Sequence, residues 1–369
     1  MPMAVADRMD RLRSHLDEAG CQALLVTELA NIRYLTGFTG SAALLLVLPD
    51  EALFVSDGRY GEQAAAQLKA SGVDTRIEIG AAQAQRDAVV GAVQEAKPAL
   101  DRLGLEAASV TWADQRRWSV DRFAGYELVP TEGVVEQLRL VKDDGEVARI
   151  AAASAIADAA LASVRHRLLE QPTESEFALE LDTEMRRLGA DAVSFETIVA
   201  SGPNGARPHH SPGPRTITEG DLVVIDFGAM VDGYHSDMTR TSMVGEPTET
   251  QQRMLDVVAE SQQAGVDLVA AGVDAKAVDD VCREIIDAAG WGDAFSHGTG
   301  HGVGLDIHEE PRVGQTATAT LATGCVVTVE PGVYLPDHGG VRIEDTVVVT
   351  DTGCRTVTLA PKDPAVRLP

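Results

Sequence analysis

The chain has 369 residues and a formal net charge of −26, with 31 Lys and Arg against 57 Asp and Glu. That length exceeds the usual roughly 100 to 200 residues of one domain, so two domains are expected, and 44% hydrophobic with 24% charged residues excludes a disordered or fibrous chain. A surface this acidic repels phosphate backbones and anionic lipid heads, which excludes nucleic acid as a partner.

The first twenty residues carry charges of both signs without a continuous apolar segment, and the longest apolar run, Ala42 to Leu48, is too short to span a bilayer. No export signal and no membrane partner are expected, and the cytoplasm is the expected location. Cys21, Cys282, Cys325 and Cys354 are scattered and form no C-x-x-C pair, so neither a disulfide framework nor a thiolate zinc site is indicated.

Short β-rich runs at Ala23 to Val26, Ala42 to Leu48, Ala52 to Val55 and Arg102 to Leu105 alternate with helical stretches, beginning with an amphipathic segment. This pattern predicts a small α/β domain over residues 1–135, with a second domain over 136–369. The second domain opens on a long helix. Asp143 and Glu146 have capping-box spacing, and Val147, Ile150, Ala153, Ala157, Leu161, Val164 and Leu168 recur at helical intervals. Thr173 with Glu176 starts another helix that Gly189 stops, Thr248 with Gln251 a third ending near Gly272, and Asp274 caps a fourth that stops at Gly290. Between and after them lie strands at Leu222 to Val231, Tyr234 to Val244, Val326 to Glu330 and Val341 to Thr350. The predicted fold class is therefore α+β, with helices flanking a mostly antiparallel sheet.

Seven of the nine histidines fall between residues 209 and 338, and the chemistry is sought there. Asp226 interrupts a strand otherwise written Leu, Val, Val, Ile and Phe, where an uncompensated carboxylate would cost several kcal/mol. Asp232-Gly233 signals a two-residue hairpin turn. With Val231 opposite Tyr234, Asp226 faces Thr239, and Asp237 lies one diagonal step away on the same face, at roughly 7 Å between Cβ atoms. Two carboxylates so close on an apolar sheet call for a cation between them. Glu330 and Glu344 are also embedded in β-branched sequence, and His301 stands in the glycine-rich segment HGTGHGVGL. Four carboxylates and one imidazole suit Mn, Co or Zn, including two ions about 3.5 Å apart, whose chemistry is hydrolysis of an amide or ester. The competing motifs fail. Asp226-Phe227-Gly228 lacks the other kinase elements, His308-Glu309-Glu310-Pro311-Arg312 is not H-E-x-x-H, the glycine ladder is not G-x-G-x-x-G, and no G-x-S-x-G elbow is present.

IDFGA around Asp226, HSDMTRT around Asp237, HGTGHGVGL around His301, TVEPGVY around Glu330 and GVRIEDT around Glu344 resemble the ligand motifs of the pita-bread metallopeptidases, nearest to the proline-specific branch of Xaa-Pro dipeptidase and aminopeptidase P. NIRYLTGFTGS and LFVSDGRY resemble that branch's creatinase-like N-terminal domain. The resemblance implies a C-terminal pita-bread domain, two divalent ions with Mn first and Co or Zn as alternatives, and a homodimer. Asp226 and Asp237 would hold one ion, His301 and Glu330 the other, with Asp237 and Glu344 bridging. It further assigns catalytic roles to His209, His297, His308 and Glu330, and substrate contacts to His209, Tyr334 and Arg342. The expected activity is hydrolysis of Xaa-Pro dipeptides, small peptides with proline in the second position, with cleavage of longer peptides in the manner of aminopeptidase P as the alternative. A non-catalytic binding module is the remote alternative. Arg342, His209 or His210 could sense the proline carboxylate.

Overall fold

The structure, a computed structural model, describes residues 1–96 and 100–367. The chain divides into two units, Met3–Arg139 and Leu140–Pro369 with Met1–Pro2.

The N-terminal unit is a six-stranded mixed sheet with helices. Its strands are β1 (Ala23–Val26), β2 (Ala43–Val47), β3 (Ala52–Ser56), β4 (Arg76–Ile79), β5 (Arg102–Glu106) and β6 (Glu127–Thr131), in the order β4-β3-β2-β1-β5-β6. The four runs expected from the sequence form β1, β2, β3 and β5, the central strands, which are buried and read as near-continuous apolar stretches. The two strands at the sheet edges, β4 (RIEI) and β6 (ELVPT), escaped notice because an edge strand needs no such run: both are largely solvent-accessible. The amphipathic start is the helix Arg8–Leu16, which buries Met9, Leu12 and Leu16.

The C-terminal unit opens as expected. Asp143 and Glu146 make both bonds of a capping box at the head of helix Asp144–Val164, which continues as a 3-10 helix over Arg165–Glu170. This Ala-rich stretch is long and apolar enough by composition to cross a membrane, although its apolar residues form no uninterrupted run. It buries Ile150, Ala153, Ala157, Leu161, Val164 and Leu168 in the protein. Capping boxes also start helices Glu174–Arg187 and Glu249–Leu268. Asp274 stands at the head of helix Ala275–Ala288 but makes no capping bond, its carboxylate accepting instead from Thr320 Oγ1 at 3.0 Å.

The expected single sheet is divided. The strands are β7 (Ala192–Val193), β8 (Ile198–Ser201), β9 (Leu222–Phe227), β10 (Ala229–Val231), β11 (Tyr234–His235), β12 (Met238–Met243), β13 (Gly300–Gly302), β14 (Glu309–Val313), β15 (Val326–Val329), β16 (Gly332–Leu335), β17 (Gly339–Arg342), β18 (Asp345–Thr350) and β19 (Gly353–Thr356). They form sheets β11-β10-β7, β12-β9-β8, β14-β13-β15-β18-β19 and β16-β17, in which every named pairing is antiparallel. The hairpin register holds across the division: Val231 faces Tyr234 and Asp226 faces Thr239. Asp232 and Gly233 both have positive φ, 48° and 73°, as a type I′ turn requires. The break falls at Gly228, where a Cβ would lie 1.9 Å from the Ser236 carbonyl oxygen, so only glycine allows the strands to cross so closely.

Burial follows the two-residue period of the strands. Val223, Ile225 and Phe227 of β9 pack with Phe177, Leu181 and Ala157 of the first two helices, which turns Asp226 to the opposite face. Leu222 packs with Met254, Val258, Val278, Val327 and Val347 in a second core beneath the other helix pair.

Candidate active site and metal centre

One cavity of about 960 Å³ lies within the C-terminal unit, and every candidate site residue except Tyr334 lines it. Tyr334 sits behind the wall, linking two of the lining residues: its hydroxyl is 2.7 Å from Arg342 Nη1 and 2.8 Å from His297 Nε2.

The carboxylates come from strand ends and breaks as much as from strands. Asp226 is the one inside a strand. Asp237 occupies the gap between β11 and β12, Glu330 follows the last residue of β15, and Glu344 falls in a break between β17 and β18 that the sequence reading took as continuous strand. His301 is the middle residue of β13, where a Cβ on neighbouring Gly300 would meet the Thr328 carbonyl at 2.0 Å. Glycine there permits the close backbone approach that brings His301 over β15.

Among the described residues, Asp237, His301 and Glu344 bring one donor atom each within 4.8 Å of one another. His301 Nε2 lies 3.5 Å from Asp237 Oδ2 and 3.3 Å from Glu330 Oε1. Its Nδ1 is 3.0 Å from the Gly302 carbonyl oxygen, an acceptor, so Nδ1 carries the proton and Nε2 presents its lone pair to the acidic cluster. Asp226 turns Oδ2 to Arg342 Nη2 at 2.7 Å, while Glu344 Oε2 accepts from Thr239 Oγ1 at 2.8 Å. The other oxygens, Asp226 Oδ1 and Glu344 Oε1, are buried and have no hydrogen-bond partner.

Burial raises the pKa of Asp226, and of Asp237 and Glu344 well above the ordinary carboxylate range, with neighbouring carboxylates adding repulsion: Glu344 acts on Asp237, and Glu330 on both Asp226 and Glu344. Burial also presses on Glu330, but His301 in its protonated form, donating to Glu330 and charged until a cation displaces that proton, outweighs it together with a protonated His297 and Arg342 and brings Glu330 down to about 2. Four carboxylates around an imidazole lone pair, two with orphaned oxygens, are the donor set of a divalent-cation site, since one bound cation centre relieves the repulsion of the ionised groups and satisfies both oxygens at once. The residues present fit the group.

A layer of hydroxyls and charges that sequence reasoning missed holds these ligands. Thr328 Oγ1 donates to Glu330 Oε1 at 3.2 Å and accepts from His301 N at 3.1 Å. Thr239 Oγ1 also accepts from Arg342 Nε at 3.0 Å. Arg342, 3% exposed, thus spends its donors on Thr239, Asp226, Tyr334 and the Pro208 carbonyl. Glu174, fully buried, accepts from Ser201, Asn204, Gly213 and His210 Nε2, the last at 2.8 Å, and so fixes the loop carrying His209 and His210. His297 Nδ1 lies 2.8 Å from the Gly298 carbonyl oxygen. It therefore bears the proton, Nε2 accepts from Tyr334, and burial lowers the pKa of the ring. His308 packs edge-on against His301, with ring centroids 4.4 Å apart.

The donor set and the cavity define a metal-dependent hydrolase. Residues 148–351 match the model of metallopeptidase family M24, and residues 8–141 that of the creatinase/prolidase N-terminal domain. The chain belongs to metallopeptidase family M24: it is a peptidase with a pita-bread C-terminal domain and a creatinase-like N-terminal domain. It is similar to the solved structure of an Xaa-Pro dipeptidase from Bacillus anthracis, at 39% identity over 97% of this chain and 98% of that one with a TM-score of 0.91. It is likewise similar to an X-Pro aminopeptidase from Thermotoga maritima, at 34% identity over 97% and 99% with a TM-score of 0.87. An Xaa-Pro dipeptidase from Pyrococcus furiosus is 34% identical over 95% of this chain and 97% of its own length. The family implies divalent metal ions.

Proposed function

We propose that this peptidase hydrolyses the bond before proline in Xaa-Pro dipeptides. The observation that carries the reading is the meeting of Asp226, Asp237, His301, Glu330 and Glu344 at one cavity, with two orphaned carboxylate oxygens and an imidazole lone pair facing inward. Asp226 and Asp237 would hold one ion and His301 and Glu330 the other, with Asp237 and Glu344 shared between them, and Mn would come first with Co or Zn as alternatives. When bound, the ions supply Lewis-acid polarisation of the scissile carbonyl and a water nucleophile at neutral pH.

The chain's own groups do the rest. His308 lines the cavity beside His301 and donates to the oxygen that gains charge as the carbonyl is attacked. His297, neutral and protonated on Nδ1, is a proton acceptor at Nε2 once Tyr334 yields that position. Glu330, ionised throughout the neutral range, serves chiefly as a ligand and only secondarily accepts a proton. His209, on the loop fixed by Glu174, contacts the substrate.

A dipeptidase must also recognise the proline carboxylate. Arg342, first considered for this, is committed to Asp226 and Tyr334. Arg283 is paired with Asp279 at 2.6 Å. Arg312 lines the cavity, is 53% exposed and approaches Glu310 only to 4.0 Å, so among the described arginines lining the cavity its guanidinium has donors to offer a carboxylate. We propose a homodimer, on the resemblance noted above, working in the cytoplasm.

The test is hydrolysis by the Mn-reconstituted chain of Xaa-Pro, Xaa-Pro-Yaa and a dipeptide without proline. Preference for Xaa-Pro, abolished by chelation, is expected. Equal cleavage of the tripeptide transfers the assignment to an aminopeptidase, and metal-independent or absent hydrolysis overturns the proposal.

A further inference from the structure

The ion pair of Arg240 and Asp345, 2.8 Å apart and each 2% exposed, lies off the cavity and takes no part in the chemistry above. Burying two charges costs several kcal/mol per ion before their attraction is counted, so such a pair persists only with excellent geometry and further partners. Both have them. Arg240 sends Nε to the Ala360 carbonyl at 2.9 Å, Nη1 to the Thr239 carbonyl at 3.0 Å and to the Glu344 carbonyl, and Nη2 to Asp345 Oδ1. Asp345 Oδ1 also accepts from Thr358 at 3.0 Å, and Oδ2 from Gln262 at 3.1 Å and from Lys362 Nζ at 2.6 Å.

The placement of this cluster is informative. Asp237 and Glu344, the bridging carboxylates of the proposed centre, adjoin strands of two different sheets, β12 and β18. Their distance apart is set by how those sheets are joined. The joint consists of Glu344 N to the Thr239 carbonyl at 3.1 Å, Thr346 Oγ1 to the Asp237 carbonyl at 2.8 Å, and the Arg240 guanidinium, which grips Thr239 on one side and Glu344 and Asp345 on the other. The chain near the C-terminus closes it from outside. Asp158 accepts from Leu359 N and Ala360 N, both at 2.8 Å, and so holds the segment that presents the Ala360 carbonyl to Arg240 and Lys362 to Asp345.

We propose that Arg240 and Lys362, acting through Asp345 and the Glu344 carbonyl, are positioning residues that fix the spacing of the Asp237 and Glu344 carboxylates and with it the affinity for the metal ions. The proposal rests on reading the site as a metal centre. The experiment titrates Mn²⁺ into the metal-free full-length chain by calorimetry, with urea midpoints measured in parallel. Lys362 is the gentler site, with its side chain 35% exposed. Lys362→Met is expected to weaken Mn²⁺ binding about tenfold, within the range for losing an outer-shell partner. Lys362→Arg keeps the charge and should bind as the native chain does. Arg240→Lys keeps charge but loses the planar fork, and its Mn²⁺ affinity should fall further. If Arg240→Lys does not fold, Lys362→Met alone decides. Affinity within twofold of native for Lys362→Met overturns the proposal, whether or not the urea midpoint drops, because a lower midpoint with intact binding marks a purely structural clasp. A native chain that binds no Mn²⁺ brings down the metal reading itself, a separate outcome.

Discussion

Without metal, the acidic cluster should make the protein less stable as pH rises, and metal should reverse that trend. Burial, joined by mutual repulsion, holds the pKa values of Asp237 and Glu344 well above the carboxylate range and raises that of Asp226. Between the ordinary value near 4 and these higher folded values, the native state binds more protons than the unfolded chain, so unfolding free energy falls with increasing pH. Each such proton contributes at most about 1.4 kcal/mol per pH unit, so Asp237 and Glu344 together reach about 3 kcal/mol per unit where both titrate. Glu330 acts in the other direction, but its contribution is lost only as pH falls below its ordinary value toward about 2. Bound ions require ionised ligands, so protons compete with them and metal-loaded stability rises with pH. The assay is urea unfolding from pH 5 to 8, with chelator and with Mn²⁺. The net charge of −26 also destabilises any compact state at higher pH, and Glu344→Gln separates the two effects. Its amide cannot ionise and its side-chain oxygen can still accept from Thr239, so the metal-free variant should be more stable than native at pH 8, with a shallower pH slope and no gain from Mn²⁺. Identical slopes for the metal-free variant and the metal-free native chain would refute the reasoning.

Asp237→Ala should remove metal and hydrolysis together, because it takes away a carboxylate facing His301 Nε2 at 3.5 Å; native metal content by elemental analysis with near-normal turnover contradicts this. His308→Ala should keep its metal and lose ~10²-fold in kcat, the scale of one oxyanion or acid-base group, whereas unchanged kcat reduces the ring to packing. Arg312→Met should lower kcat/KM for Xaa-Pro by a factor equivalent to ~1.5 to 3 kcal/mol and leave the Xaa-Pro amide unaffected; equal losses on both substrates count against carboxylate recognition. Lys142→Met removes the ammonium 2.8 Å from Glu309 in a pair 1% and 6% exposed, and should cost about 3–5 kcal/mol by urea unfolding, a loss that a solvated pair would not show.

The parts of this protein legible in its sequence are those fixed by local rules. Three capping boxes start helices where they were expected, because the reciprocal bonds of Asp143 with Glu146, Thr173 with Glu176 and Thr248 with Gln251 need only a three-residue spacing. The Asp232-Gly233 turn sets the register that pairs Asp226 with Thr239, and no distant contact was needed to foresee it. The edge strands β4 and β6 and the division into four sheets were not legible, since they depend on what each strand meets in three dimensions. The commitment of Arg342 was equally hidden. Its partners Asp226, Thr239, Tyr334 and Pro208 are spread over 127 positions of sequence, and nothing near GVRIEDT names them.

The breaks missed in the strands are where the site is made. In an unbroken antiparallel pair, side chains alternate between faces, and a carboxylate within the strand points into one core or the other at a large desolvation cost. Asp237, Glu330 and Glu344 each stand at a strand end or in a two-residue gap, where the backbone is released from the ladder and the side chain can turn toward the cavity. Asp226 remains within its strand and is the one whose carboxylate pairs with a guanidinium, Arg342 at 2.7 Å. Where backbone geometry lets the chain release a carboxylate to the cavity, no arginine is required; where the strand holds it, a counter-ion from the next sheet makes its burial tolerable. The same alternation that ties Val223, Ile225 and Phe227 to the helices therefore dictates which acid needs Arg342, and why the thinnest part of the β-structure coincides with its chemistry.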